Sequence, residues 1–155
     1  MKYAILIFIF NFEMQASSLT ELQASSLTEP QASPLTSEWK FEEMIYRGQR
    51  MERSDPALNL RWTFFANGTD RLYWDRGTTE FCERFAHFKY SENQLQANIF
   101  SVNPLNSVNC SADPDMKLNG QSKTRLEVNG IEMWLYLAVS DEPLIYVLRK
   151  VSSNK

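Results

Sequence analysis

The sequence predicts an all-β domain: an eight-stranded antiparallel up-and-down barrel, with a two-sheet β-sandwich as the alternative architecture. Three observations carry this. Past Trp39 no window of eleven residues keeps an apolar stripe at i, i+3, i+4, i+7, whereas runs with apolar side chains at every second position recur. Eight such runs fit, at about 39–47, 58–66, 70–76, 80–90, 94–102, 121–129, 131–139 and 143–150. The connections are mostly short, as between antiparallel neighbours, and eight sequential strands hide their edges by closing on themselves.

The chain begins "MKYAILIFIFNFEMQA", one basic residue and then an apolar run from Tyr3 to Phe10. That run falls well short of the roughly 20 apolar residues of a membrane span and matches a secretory h-region. Residues 1–16 are therefore expected to be a signal peptide, and the protein periplasmic or secreted. Three near-copies follow, "QASSLTEL", "QASSLTEP" and "QASPLTSE". Ser, Thr, Gln and Pro dominate them, too little apolar surface to build a stacked core, so residues 17–38 read as a disordered octapeptide-repeat linker.

The net charge of −3 lies wholly in residues 1–38; the rest carries fifteen basic and fifteen acidic side chains. Such a body offers little long-range attraction to nucleic acid or anionic lipid, so neither is expected as a partner. Its resource is aromatic: sixteen Phe, Trp and Tyr fall between Trp39 and Tyr146.

Within the strands, Leu58, Leu60, Trp62 and Phe64 share one face, and Leu72 and Trp74 share one on the return strand. Between them Asn67-Gly68 predicts a type I′ hairpin turn. A second Asn-Gly pair, Asn129-Gly130, separates an arm with Thr124, Leu126 and Val128 inward from one with Ile131, Met133, Leu135, Leu137 and Val139 inward. Leu144, Tyr146 and Leu148 follow in phase. Trp134, Tyr136, Ile145 and Val147 occupy the opposite face, so strands 131–148 are apolar on both sides. Something must cover that outer face: the N-terminal segment, the long loop or a protein partner.

"FCERFAHFKY" raises a thiolate–imidazole reading, but Cys82 and His87 are an odd number of residues apart and point to opposite faces of a strand. For an exported chain the better use of Cys82 is a disulfide to Cys110; two buried free thiols are the alternative. His87 is the single histidine, which excludes a site with two histidine ligands, and no G-x-S-x-G turn accompanies it. The longest gap, Asn103 to Gly120, contains Cys110 and the carboxylates Asp113 and Asp115. Asn109 lies nearby, but the spacing lacks the Gly and distal Glu of a calcium loop. No phosphate-cradling glycine loop or paired-cysteine zinc site occurs. No metal, cofactor or catalytic residue is expected.

This pattern resembles the lipocalin-like (calycin) barrels, including short bacterial members. Two positions carry the likeness beyond strand count. Trp39 opens the first strand, where that family has a Trp at the closed end, and Arg149 lies where it has a basic side chain over that indole. The glycine that precedes the family's Trp by two positions is Ser37 here, and no C-terminal helix follows. The resemblance implies a lipocalin-like domain over residues 39–151.

The function expected is an exported, non-enzymatic binding module. Trp62, Phe64, Leu72 and Trp74 would contact a small apolar or amphipathic ligand. The alternative is a protein-interaction or protease-inhibitor barrel with a filled interior, which the resemblance also permits; it would work through the outer face of 131–148 or the Cys110 loop.

Overall fold

The structure, a computed structural model, describes residues 33–138 and 142–152. The expected signal peptide, most of the repeat and Val139 lie outside the described residues. The strands are β1 (Ser37–Tyr46), β2 (Gln49–Glu52), β3 (Asn59–Phe64), β4 (Thr69–Asp75), β5 (Phe81–Ser91), β6 (Gln94–Val102), β7 (Gln121–Asn129), β8 (Glu132–Leu137) and β9 (Leu144–Lys150). They form one antiparallel sheet in the order β2-β1-β3-β4-β5-β6-β7-β8-β9, and β1 also pairs with β9. That last pairing closes an eight-stranded barrel, as the sequence predicts, with β2 as the extra strand.

The sequence reading has no strand at β2, because "QRME" is exposed throughout and carries no apolar alternation. Backbone pairing alone recruits it: Tyr46 faces Gln49 and Glu43 faces Glu52, while Lys40 faces Arg61 further along the same edge of β1. In the barrel wall β2 and β3 thus act as one strand, interrupted by an excursion over residues 53–58.

The hairpin turns differ from expectation. Two consecutive left-handed residues, the type I′ signature, occur at Arg47-Gly48 (φ 51° and 72°) and Glu92-Asn93 (φ 50° and 58°). At the predicted site only Gly68 is left-handed, at φ 78°. The reason is the Asn67 carboxamide. Its oxygen accepts from Thr69 N at 3.1 Å and Thr69 Oγ1 at 2.7 Å, a local turn that keeps Asn67 out of the left-handed region.

One end of the barrel is sealed by residues assigned to the linker. Thr36 N donates to the Ser33 carbonyl at 2.9 Å, a turn that drives Leu35 beneath the barrel. Leu35 is fully buried there, and its carbonyl accepts from Trp39 Nε1 at 2.8 Å. Within the described residues, the chain is thus packed against the barrel from Leu35 on, ahead of Trp39. Trp39 sits at this closed end as the resemblance implies, but the cation near its ring is Lys150, Nζ 5.9 Å from the centroid. Register decides this: Trp39 is paired with Lys150, while Arg149 is paired with Lys40 on the opposite face.

Above Trp39 the interior is continuous. Trp62 stacks on Phe64 (5.0 Å), Phe64 meets Phe88 edge-on (5.0 Å) and Phe41 stacks on Tyr146 (4.3 Å). Leu95, Leu126, Met133 and Leu148 complete this closed half. Ile131, expected inward, is 68% exposed because β8 starts one residue later and leaves it in the turn.

The outer face of β8 and β9 finds its cover within the chain. Arg50 of β2 lies over the Trp134 ring at 5.9 Å and Arg125 over Tyr136 at 4.2 Å. Such contacts contribute about 0.5–1 kcal/mol at exposed sites. Arg50 also grips Glu132 with both nitrogens, at 3.0 and 2.7 Å, and reaches Glu43 at 2.8 Å. Beneath this layer Val147 is fully buried though it faces away from the core cluster.

Two outcomes follow from these contacts. Leu35→Ala should cost about 2–5 kcal/mol in urea unfolding, the range for a buried Leu truncated in a core; a cost near zero would mean that Leu35 lies in a linker. The hydrogen bonds from Arg50 and then Trp134 hold the Glu132 carboxyl down at about 2, against its ordinary 4.5. A depressed carboxylate stabilises the fold fully above pH 4.5, and that contribution disappears as pH falls from 4.5 to 2. Glu132→Gln should flatten the pH dependence of urea stability in that window by on the order of 1 kcal/mol, solvent screening included.

Candidate functional site

At the end opposite Leu35 the barrel is not filled. A cavity of about 250 Å³ opens there. The β3–β4 hairpin supplies one wall, with Leu58, Leu60 and Trp62 on one strand and Leu72, Trp74 and Arg76 at and beyond the other. Alternation explains the set, since residues two apart on a strand face the same side. Leu135, Leu137 and Tyr146 form the opposite wall, and Ser122 and Thr124 add two hydroxyl-bearing side chains from β7.

Of the four residues singled out from sequence, Trp62, Leu72 and Trp74 line this cavity together. Phe64 does not. It lies one inward position deeper than Trp62, buried against Trp62 and Phe88 in the closed half.

Asp113 and Asp115 line the mouth from the long loop. After β6 that loop continues along β5, with Asn103 N donating to the Glu83 carbonyl and Ser107 N to the Phe81 carbonyl, both at 3.0 Å. Two 3-10 turns follow, Val108–Ala112 and Pro114–Met116, and bring Cys110 and Met116 into the barrel core. Cys110 is disulfide-bonded to Cys82, with Cα atoms 5.6 Å apart at a sequence separation of 28. A cross-link of this span contributes about 3–4 kcal/mol in the chain-entropy account. Cys82 faces Trp74 across the β4–β5 ladder, so the bridge ties the loop to the cavity wall. Gly120 completes the return: its N–H donates to the Lys117 carbonyl at 2.9 Å, and a Cβ there would meet that oxygen at 2.8 Å. His87 takes no part; it is exposed and stacks on Phe100 at 4.6 Å.

Adjoining the cavity is a layer the sequence reading missed. Asp70 and Arg84 are an ion pair inside the barrel, 0% and 1% exposed. Trp62, whose ring lines the cavity, donates its Nε1–H to Asp70 Oδ1 at 2.8 Å, and the Arg84 guanidinium lies 5.6 Å from the Trp62 centroid. Asp70 Oδ2 and Arg84 Nε have no hydrogen-bond partner among the described residues. Burial pushes the Asp70 carboxyl up, while Arg84 and the indole N–H pull it down. Burial likewise raises Asp115, the neighbouring Asp113 charge adds to this, and Arg84 opposes both. The pair was legible in principle: Asp70 is in phase with Leu72 and Trp74, and Arg84 is in phase with Cys82. Hydropathy argues against charges inside a barrel, and only their mutual neutralisation permits them.

No protein-family model matches the chain, and no curated protein matches its sequence. Solved structures do. A lipocalin-like protein from Bacteroides uniformis is similar with a TM-score of 0.51 at 12% identity, covering 76% of this chain and 98% of that one. An uncharacterized protein from Bacteroides eggerthii has a TM-score of 0.48 at 15% identity, covering 76% and 99%. The chain thus has a lipocalin-like fold: a closed eight-stranded barrel with a cavity at one end.

Removing one partner of the interior pair leaves a buried charge uncompensated. Asp70→Ala and Arg84→Ala should each cost about 3–5 kcal/mol in urea unfolding, and Asp70→Leu combined with Arg84→Met should cost less than either. Costs that simply add would show that the two side chains do not act as a pair.

Proposed function

We propose that this protein is an exported, non-enzymatic binding module that takes a small apolar or amphipathic ligand into the mouth of its barrel. The observation that carries this is the cavity of about 250 Å³ walled by Trp62, Leu72 and Trp74, with a few polar side chains among the residues that line it. Ligand sites are typically concave and mostly apolar, with a few placed polar groups, and volumes of about 300–1,000 Å³ suit drug-sized molecules. A cavity below that range fits a smaller ligand. Support for export comes from the Cys82–Cys110 disulfide, a bond that persists in oxidising compartments.

A second reading keeps the fold but moves the working surface outside, to a protein partner or a protease. It is favoured by Leu105 and Val108, 78% and 85% exposed on the disulfide-pinned loop. The first reading expects N-phenyl-1-naphthylamine to bind saturably, with enhanced probe emission and a change in tryptophan fluorescence. Filling the cavity with Leu137→Trp should weaken that binding at least tenfold while the thermal transition is retained. No saturable binding of the probe, together with a complex recovered on a protease panel, would transfer the case to the second reading.

A further inference from the structure

The charges around the cavity are unbalanced, and the imbalance has a sign. Arg76 lines the mouth, but its Nε is engaged by Asp55 Oδ2 at 2.9 Å and its guanidinium lies 5.2 Å from the Trp74 centroid. Arg84 is committed to Asp70. Asp113 and Asp115 have no ion-pair partner among the described residues; Asp113 Oδ1 accepts a hydrogen bond from Asp115 N at 2.9 Å. Among the residues that line the cavity, two carboxylates face one guanidinium, and Asp55 already engages that guanidinium, so negative charge is in surplus beside an apolar, aromatic-walled space. Next to Trp62, the fully buried Asp70 keeps one oxygen without a hydrogen-bond partner among the described residues.

Asp113 and Asp115 carry their charge without an ion-pair partner among the described residues, and an arriving cation supplies one. The walls suit the same ligand. Trp62, Trp74 and Tyr146 line the same space, and an ammonium held close to an aromatic ring gains a cation–π attraction that strengthens on desolvation. An anionic amphiphile, a fatty acid for example, would set its carboxylate against Asp113 and Asp115.

We propose that the ligand is a small cationic amphiphile: an alkyl or aryl body in the cavity and a protonated or quaternary ammonium at Asp113 and Asp115. This deepens the binding-module reading and rests on it. The cavity supplies affinity for the body, and the two aspartates on the cross-linked loop select the head.

Three probes of one chain length separate the two claims: octylamine, 1-octanol and octanoate, titrated calorimetrically at pH 7 and low salt. Octylamine should bind at least tenfold more tightly than 1-octanol, and octanoate more weakly than either. In Asp113→Asn/Asp115→Asn, with its thermal transition checked, the ratio of octylamine to octanol affinity should fall to near one. Raising the salt concentration should compress the wild-type ratio in the same direction. If 1-octanol binds and octylamine has no advantage, or the double variant keeps that advantage, the cationic assignment is overturned and the apolar cavity stands. If none of the three binds, the binding-module reading falls with it.

Discussion

Pairing of the first strand with the last turns a linear run of hairpins into a vessel. Phe41 lies beside Leu148 and Met44 beside Tyr146 across that seam, and a register shift between Phe41 and Glu43 lets the wall bend as it closes. Every inward position acquires a common interior from this contact. Without it Trp39, Phe41 and Leu148 would line open edges, and the sheet would offer unpaired backbone for association. Closure also makes the two ends different. At one end Leu35 and Trp39 plug the bore; at the other the cross-linked loop stands over a space that no side chain fills.

The difference between the ends is chemical as well as steric. Toward the closed end the interior is hydrocarbon and aromatic. Toward the mouth it carries an ion pair, two hydroxyl-bearing side chains and two aspartates. A barrel built only for stability would replace the Asp70–Arg84 pair with apolar side chains, since such replacements are commonly neutral or stabilising. Its retention beside the cavity, with one oxygen and one nitrogen unsatisfied, makes the mouth a polar frame around apolar walls. The disulfide holds that frame by anchoring the loop that carries Asp113 and Asp115 to the strand that carries Arg84.

Much of this was readable before any coordinates. The period-two runs gave the closed barrel and three cavity residues, and the cysteine count with the expected export gave the disulfide. What escaped reading did so for physical reasons. β2 is exposed on all sides and follows from backbone pairing, which leaves no trace in hydropathy. Leu35 sits in a repeat whose composition argues for disorder, yet a single Leu at the right distance plugs the closed end of the barrel. Arg149 and Lys150 differ by one position, and only the ladder register says which shares a face with Trp39. Asp70 and Arg84 lie 14 residues apart, and their compensation appears only when β4 and β5 are placed side by side. The two-sided apolar strands called for a cover from the N-terminal segment, the long loop or a partner, and arginines from β2 and β7, none of these, lie over Trp134 and Tyr136.

The account stands on the mouth of the barrel being where a small molecule goes. Methyl-resolved NMR of the full chain, titrated with 1-octanol, tests this most directly. Shifts confined to the methyls of Leu58, Leu60, Leu72, Leu135 and Leu137, which line the cavity, with Leu105 and Leu118 on the outside of the loop unmoved, are the predicted result. Shifts centred on Leu105, Val108 and Leu118 with the cavity leucines silent would contradict it.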